Sequence, residues 1–291
     1  DKNKKDNNVM PYTHFGKQAD VFKHVILCEV LKKEKPDLYV ETNSACAEYM
    51  LSNSLEQQYG ICHFLNNVSE YNEFTDSNYL NLERKAYRDH LYLGSPGLAM
   101  NILNSPSDEL LFFDIEKEPL KNIEAFAQRD GFRNRIRTFN QDSIRGTVEL
   151  LPSLPVSSFI HIDPYEIDKS GEPGGFTYFD VFLEAVQAGI KCYLWYGFMT
   201  LSVKEQLNAY ILNGLRKNKI KGCACVELIL EIIERNTIPC NPGILGSGIL
   251  TANLSKDSNT ILQDYSNLLV NMYQGAIYNG TNGTLYKEVI L

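Results

Sequence analysis

Four acidic residues stand where four short apolar runs end: Glu41 after LYV, Asp114 after ELLFF, Asp142 after IRTFNQ and Asp163 after SSFIHI. A single carboxylate at such a place is commonly a helix N-cap. Four in succession suggest a nucleoside ligand, because ligands of open α/β sheets bind at the carboxyl ends of the strands. A carboxylate after the second run can accept from both hydroxyls of a ribose, and one after the third from an adenine amino group. The fourth differs, because HIDPYE places Pro164 directly after Asp163. Proline fixes its backbone and carries no N–H. The Asp163 carboxylate and the Pro164 carbonyl therefore make a two-acceptor clamp for an exocyclic amine.

The elements that must hold these acids alternate along the chain. Val21, Val25, Cys28 and Leu31 recur at helical spacing in ADVFKHVILCEVLKK, which Pro36 ends. Strands are expected at LYVE, ELLFFDI, IRTFNQD, SSFIHID, CYLWYGF, CACVELIL and GSGILTANL, the last strand, with helices between and after them. That order predicts a mainly parallel sheet covered by helices on both faces. Between Glu41 and Glu109 lie 67 residues, far more than one crossover helix requires. Residues 53–92 are read as a helical insertion, leaving 1–52 and 93–291 as the main domain.

The chain has 291 residues, 44% hydrophobic and 22% charged, which excludes disordered, collagenous and coiled-coil classes. No apolar run reaches the ~18 residues of a membrane span, and DKNKKDNN is no secretory leader. The seven cysteines are read as reduced, mostly buried thiols of a cytoplasmic protein. Cys223 and Cys225 lie in a strand-like run, CACVELIL, where side chains alternate faces, and have only Cys240 and His63 as further partners; no metal is expected. The net charge of −8 does not suggest a nucleic-acid binder. Local basic groups (Lys2, Lys4, Lys5; Arg129 to Arg137; Arg216 to Lys221) leave room for a basic face.

Five stretches carry a family resemblance: HFGKQADVFKH from His14, KPDLYVETNSACAEY, LGSPGLA from Leu93, HIDPYE, and YLWYGF with GSGILTANL. They resemble the ribosomal RNA large subunit methyltransferase J family, which methylates the N6 amine of an adenine in 23S rRNA. The resemblance runs from about Tyr12 to Leu254. It implies an α/β, Rossmann-like class I S-adenosylmethionine-dependent methyltransferase sheet with a helical insertion, and protein-free 23S rRNA as partner. His24, Asn43, Ser95, Asp114, Asp142 and Ser143 match its cofactor-binding positions, Asn43 standing where the family has His and Ser143 where it has Gly. Asp163, Pro164 and Tyr165 match its catalytic motif, and Tyr12 an N-terminal tyrosine that contacts RNA. The family's older association with use of external DNA adds a DNA-handling alternative, and loss of motif residues a non-catalytic nucleic-acid binder.

Two departures stand out. The family's D-T-H-A-G-A-G loop is Glu41-Thr42-Asn43-Ser44-Ala45-Cys46-Ala47 here, without glycine. D-P-P-Y-E has lost a residue and reads Asp163-Pro164-Tyr165-Glu166, so Tyr165 is either re-registered against the target base or displaced. His161 is read as a core histidine, Trp195 as core more than platform, and Gly246 and Gly248 as a turn before the last strand. Lys23 is left open between a solvated position and a ligand contact.

Overall fold

In the computed structural model, which describes residues 12–232, 241–278 and 281–291, helix α1 (Gln18–Glu34) is buried on every face from Gln18 to Leu31. A helix enclosed in this way belongs to an interior. It lies between the sheet and a layer of further helices. Its ends carry complementary charge, with Asp20 in the first turn and Lys32 and Lys33 in the last.

The sheet is built from β1 (Leu38–Glu41), β4 (Glu109–Asp114), β5 (Ile136–Asn140), β6 (Phe159–Ile162), β7 (Lys191–Phe198), β8 (Ala224–Ile232), β9 (Gly246–Ala252), β10 (Ala276–Tyr278) and β11 (Thr281–Val289). Its order is β10-β11-β8-β9-β7-β6-β1-β4-β5. The pairs β1–β4, β4–β5, β1–β6 and β6–β7 are parallel. Strand β9 runs antiparallel to both β7 and β8. From β5 to β8 this is the strand order of a class I methyltransferase sheet, five parallel strands followed by a reversed strand inserted before the next. The hairpin β10–β11 extends it, pairing antiparallel with β8. GSGILTANL is therefore not the last strand of the chain.

The crossover helices are α5 (Ser95–Ile102), α6 (Lys117–Arg129), α7 (Ser143–Leu150), α8 (Tyr178–Gln187) and α9 (Leu201–Lys217), with α10 (Lys256–Met272) near the C-terminus. Thr177, Thr200 and Ser255 cap α8, α9 and α10 through their hydroxyls.

Between β1 and α5, a two-stranded ladder of β2 (Glu48–Met50) and β3 (Leu91–Leu93) brings the two ends of the intervening stretch side by side. That stretch holds α2 (Leu55–Gln57), a π-helical turn at Gln58–Cys62, α3 (His63–Asn67) and α4 (Asn78–Arg88). Its Tyr59, Phe64, Phe74, Tyr79 and Leu80 pack into one core with Val25, Leu31, Leu262 and Leu269 of α1 and α10. A second core on the other face joins Ile160, Leu194 and Tyr196 to Phe179, Phe182 and Ile211.

Gly246 and Gly248 do not make a turn. They lie inside β9, where a Cβ would come within 2.6 Å of the Phe198 ring and 2.3 Å of Tyr196. Close approach of aromatic rings, not chain reversal, requires glycine there. Cys28, Cys46, Cys192 and Cys225 are buried, and Cys62 and Cys223 half-buried. Cys240, Lys2, Lys4 and Lys5 lie outside the described residues. No described helix is long and apolar enough to cross a membrane.

Candidate active site

At the carboxyl edge of the parallel strands, the four acids take four different roles. Glu41 turns inward and is wholly buried. It accepts from the Tyr39 hydroxyl at 2.8 Å and from the Ser95 hydroxyl. His161, its cross-strand partner, lies 3.6 Å away and bonds the same tyrosine at 3.0 Å. Glu41 thus braces the floor beneath the site and does not face the cavity, contrary to the expectation that all four strand-end acids serve a nucleoside ligand. His161 is the core histidine expected.

Asp114, also buried, closes one side of the opening. Its carboxylate accepts from the backbone N–H of Ala45 (3.0 Å) and of Glu116 (2.8 Å). The Tyr12 hydroxyl donates to both oxygens at 3.1 and 3.2 Å. Burial lifts the Asp114 carboxyl above its ordinary range, and these donors oppose the rise. Burial and the adjacent carboxylate push the Tyr12 hydroxyl up. Asp142 is exposed and caps α7 through the Arg145 N–H at 2.8 Å. It borders a second cavity, of about 490 Å³, with Ile144 and Phe176.

Asp163 is held by a residue 140 positions earlier. The Lys23 ammonium lies 2.7 and 3.0 Å from its two oxygens and 4.8 Å from the centre of the Trp195 ring. Both side chains are about nine-tenths buried. Burial alone would lower the Lys23 ammonium, but Asp163 and then Asp20 outweigh it and hold it above its usual value. Burial also lifts the Asp163 carboxyl above its ordinary range, and the Lys23 ammonium opposes that rise. The Asp163 backbone N–H donates to the Thr42 hydroxyl at 3.1 Å, tying the motif to the loop after β1.

That loop keeps a glycine-like path without glycine. Asn43 has φ 51° and Ala45 φ 52°. Asparagine tolerates the left-handed region, while alanine there costs roughly 1–2 kcal/mol. The Asn43 amide donates to the Tyr178 hydroxyl at 2.8 Å, and its backbone N–H to Ser143 at 3.3 Å. Asn43 braces α8 more than it offers a free donor.

A cavity of about 300 Å³ brings together Tyr12, His24, Asn43, Ser95, Asp163, Pro164 and Tyr165. Asp114 reaches it through Tyr12 and Ala45; Ser143 and Asp142 stand behind Asn43. His24 contacts the Tyr92 hydroxyl at 2.8 Å, while its Nε2 has no partner among the described residues. Burial, then Lys23, holds its pKa well below the usual histidine value, so the ring is neutral. Trp195, 5% exposed, belongs to the first core, as expected, and its ring also lines the cavity. Thr42 escaped notice in the sequence, and Lys23, left open there, is buried against Asp163 and is not solvated. A lone lysine on a helix otherwise apolar through its middle was the available signal for Lys23. Arg129, Arg135 and Arg137 are engaged with Glu48, the Leu103 carbonyl and Glu109. They form no free basic patch.

No protein-family model matches the chain. It is 25% identical over 224 residues, 70% of this chain and 75% of the other, to ribosomal RNA large subunit methyltransferase J of Escherichia coli K12. Protein LPL1258 from Legionella pneumophila superposes with a TM-score of 0.70 at 22% identity, over 94% of this chain and 98% of that one. An S-adenosylmethionine-dependent methyltransferase from Agrobacterium tumefaciens aligns at a TM-score of 0.43 and 11% identity, over 79% of this chain and 61% of that one, too loosely to add to the strand order. In sequence the chain resembles ribosomal RNA large subunit methyltransferase J, and its sheet has the class I S-adenosylmethionine-dependent methyltransferase fold.

Proposed function

We propose that this chain binds S-adenosylmethionine and methylates the N6 amine of an adenine in 23S ribosomal RNA. The observation that carries the reading is the position of Asp163 and Pro164, which face the same cavity as Asn43, Ala45 and Ser95. The residues present fit the cofactor. Asp114 stands at the end of β4 as a two-oxygen acceptor for ribose hydroxyls, in the place where the Tyr12 hydroxyl now bonds it. Asp142, beside the apolar Ile144 and Phe176, suits an adenine ring and its amine. Ser95 has its hydroxyl proton committed to Glu41, so it can only accept from a bound amine. When bound, S-adenosylmethionine supplies an electrophilic methyl group.

The chain's own residues handle the target. An adenine leaving its stack enters the cavity and stacks on Tyr165. Asp163 and the Pro164 carbonyl accept the two amine protons, which draws the nitrogen lone pair out of the ring. Lys23 must yield at least one Asp163 oxygen for this to happen. The surplus proton leaves by way of Asp163 after transfer. Positioning and preorganised charge supply most of the acceleration. Arg84, Lys85 and Arg88 on the exposed side of α4 suit RNA phosphates, which supports a gripping role for the stretch at 53–92.

The test is calorimetric binding of S-adenosylhomocysteine together with methyl incorporation into unmodified large-subunit rRNA. Binding plus incorporation at adenine supports the reading; absence of both rejects it. Binding without incorporation selects a non-catalytic binder, the reading favoured by the hold of Lys23 on Asp163.

A further inference from the structure

We infer that Gly197 is the positioning residue that makes the shortened Asp163-Pro164-Tyr165-Glu166 loop into a formed wall of the cavity. The inference rests on the proposed role of Tyr165 as the platform for the target base. Tyr165 is fixed at three points. Its carbonyl accepts from the Gly197 N–H at 3.2 Å, continuing the parallel β6–β7 ladder past Pro164. Its ring lies against the Gly197 backbone, where a Cβ would sit 2.6 Å from Cε2 and 2.9 Å from Cδ2. Its hydroxyl donates to the Gly243 carbonyl at 2.8 Å.

Gly197 is not in the left-handed region, so its backbone does not demand glycine. Space does. Glycine within a buried strand weakens it and marks a place where something approaches closely. Here the approaching group is the Tyr165 ring, on the strand face that also carries Trp195. The neighbouring strand reads Trp195-Tyr196-Gly197, with glycine at the position facing the ring. A proline at 197 could not donate the N–H that the Tyr165 carbonyl accepts, and its ring would occupy the space of the tyrosine. The shortened loop and the glycine of the neighbouring strand thus fit each other. Tyr165 is re-registered, not displaced.

Four proteins test this: wild type, Gly197→Ala, Tyr165→Ala and the double variant. Melting temperature, S-adenosylhomocysteine affinity and methyl incorporation are read for each. Gly197→Ala should lower the melting temperature and cut transfer by about 10- to 100-fold, through a displaced platform. Cofactor affinity should stay within about twofold, because the loops that hold it are separate. In the Tyr165→Ala background the added methyl group has room, so Gly197→Ala should cost nothing further in melting or transfer. If Gly197→Ala alone does not fold, recovery of folding in the double variant makes the same point. Additive losses in melting temperature overturn the inference whatever the activity. A coupled melting cycle with no methyl transfer by wild type leaves the pinning standing and rejects the proposed reaction instead.

Discussion

The loops after β1 and after β6 both depart from the resembled motifs, and the fold accommodates them in opposite ways. The β1 loop has lost its glycines but kept the path they allow. Asn43 and Ala45 remain in the left-handed region, held by hydrogen bonds to Ser143, Tyr178 and Asp114. The β6 loop is one residue shorter than the resembled motif, and its Tyr165 ring packs where a side chain at Gly197 would stand. A conformation can be retained under local strain when surrounding bonds over-determine it. A change of register cannot be absorbed locally and needs an empty volume next door. The two loops are stitched together by the Thr42 hydroxyl, which accepts the Asp163 N–H.

The largest effect should come from the β6 side. Asp163→Ala removes the only charged acceptor of the proposed amine clamp and leaves Lys23 buried without its closest partner. Methyl transfer to large-subunit rRNA should fall ~10²–10³-fold, the usual cost of one preorganised electrostatic contact. Equal incorporation by both proteins would refute the clamp. On the β1 side, Asp114→Ala should weaken S-adenosylhomocysteine binding by roughly 1.5–3 kcal/mol, the value of hydrogen bonds to a charged group. Unchanged calorimetric affinity would remove Asp114 from the ribose site. The stitch between the loops comes next. Thr42→Val keeps shape but strands the Asp163 N–H, which should cost about 1–3 kcal/mol in denaturant unfolding. A loss below a few tenths of a kcal/mol would show that the loops are independent.

Most of the sheet was legible because each buried strand is a short apolar run between helical patterns. The hairpin β10–β11 was not. TNGTLYKEV is polar and glycine-containing, and its strand character comes from the otherwise open edge of β8. The two three-residue strands β2 and β3 are too short for any periodicity. In the site, the acids at the strand ends were legible as a set, but the inward turn of Glu41 was not. Tyr39 and Glu41 share a strand face, and a buried phenol needs an acceptor; that pair was the signal that Glu41 points inward. The Lys23–Asp163 pair spans 140 positions, so only the fold brings it together. Gly197 carried no periodic signal, since its meaning lies in the ring of Tyr165.

The smallest effect sharpens the comparison most directly. If the β1 loop is a strained copy of a glycine loop, restoring glycine should relieve it. Ala45 has φ 52°, which costs an L-residue roughly 1–2 kcal/mol. Glycine removes that cost but adds back about 0.5–1 kcal/mol of backbone entropy in the unfolded chain. The Ala45 N–H bond to Asp114 does not depend on the side chain and should persist. Ala45→Gly should therefore stabilise the protein by about 0.5–1 kcal/mol, a rise in melting temperature of about 1–3 °C for a chain of this size. Loss of the methyl group at the cavity wall should leave cofactor affinity equal or tighter. Asn43→Gly is the internal control, because asparagine already tolerates this region and its amide bond to Tyr178 would be lost. That variant should be less stable than wild type. Stabilisation by Asn43→Gly together with destabilisation by Ala45→Gly would show that the loop is not under the strain its dihedral angles indicate. The contrast between the two loops would then have to be argued from packing alone.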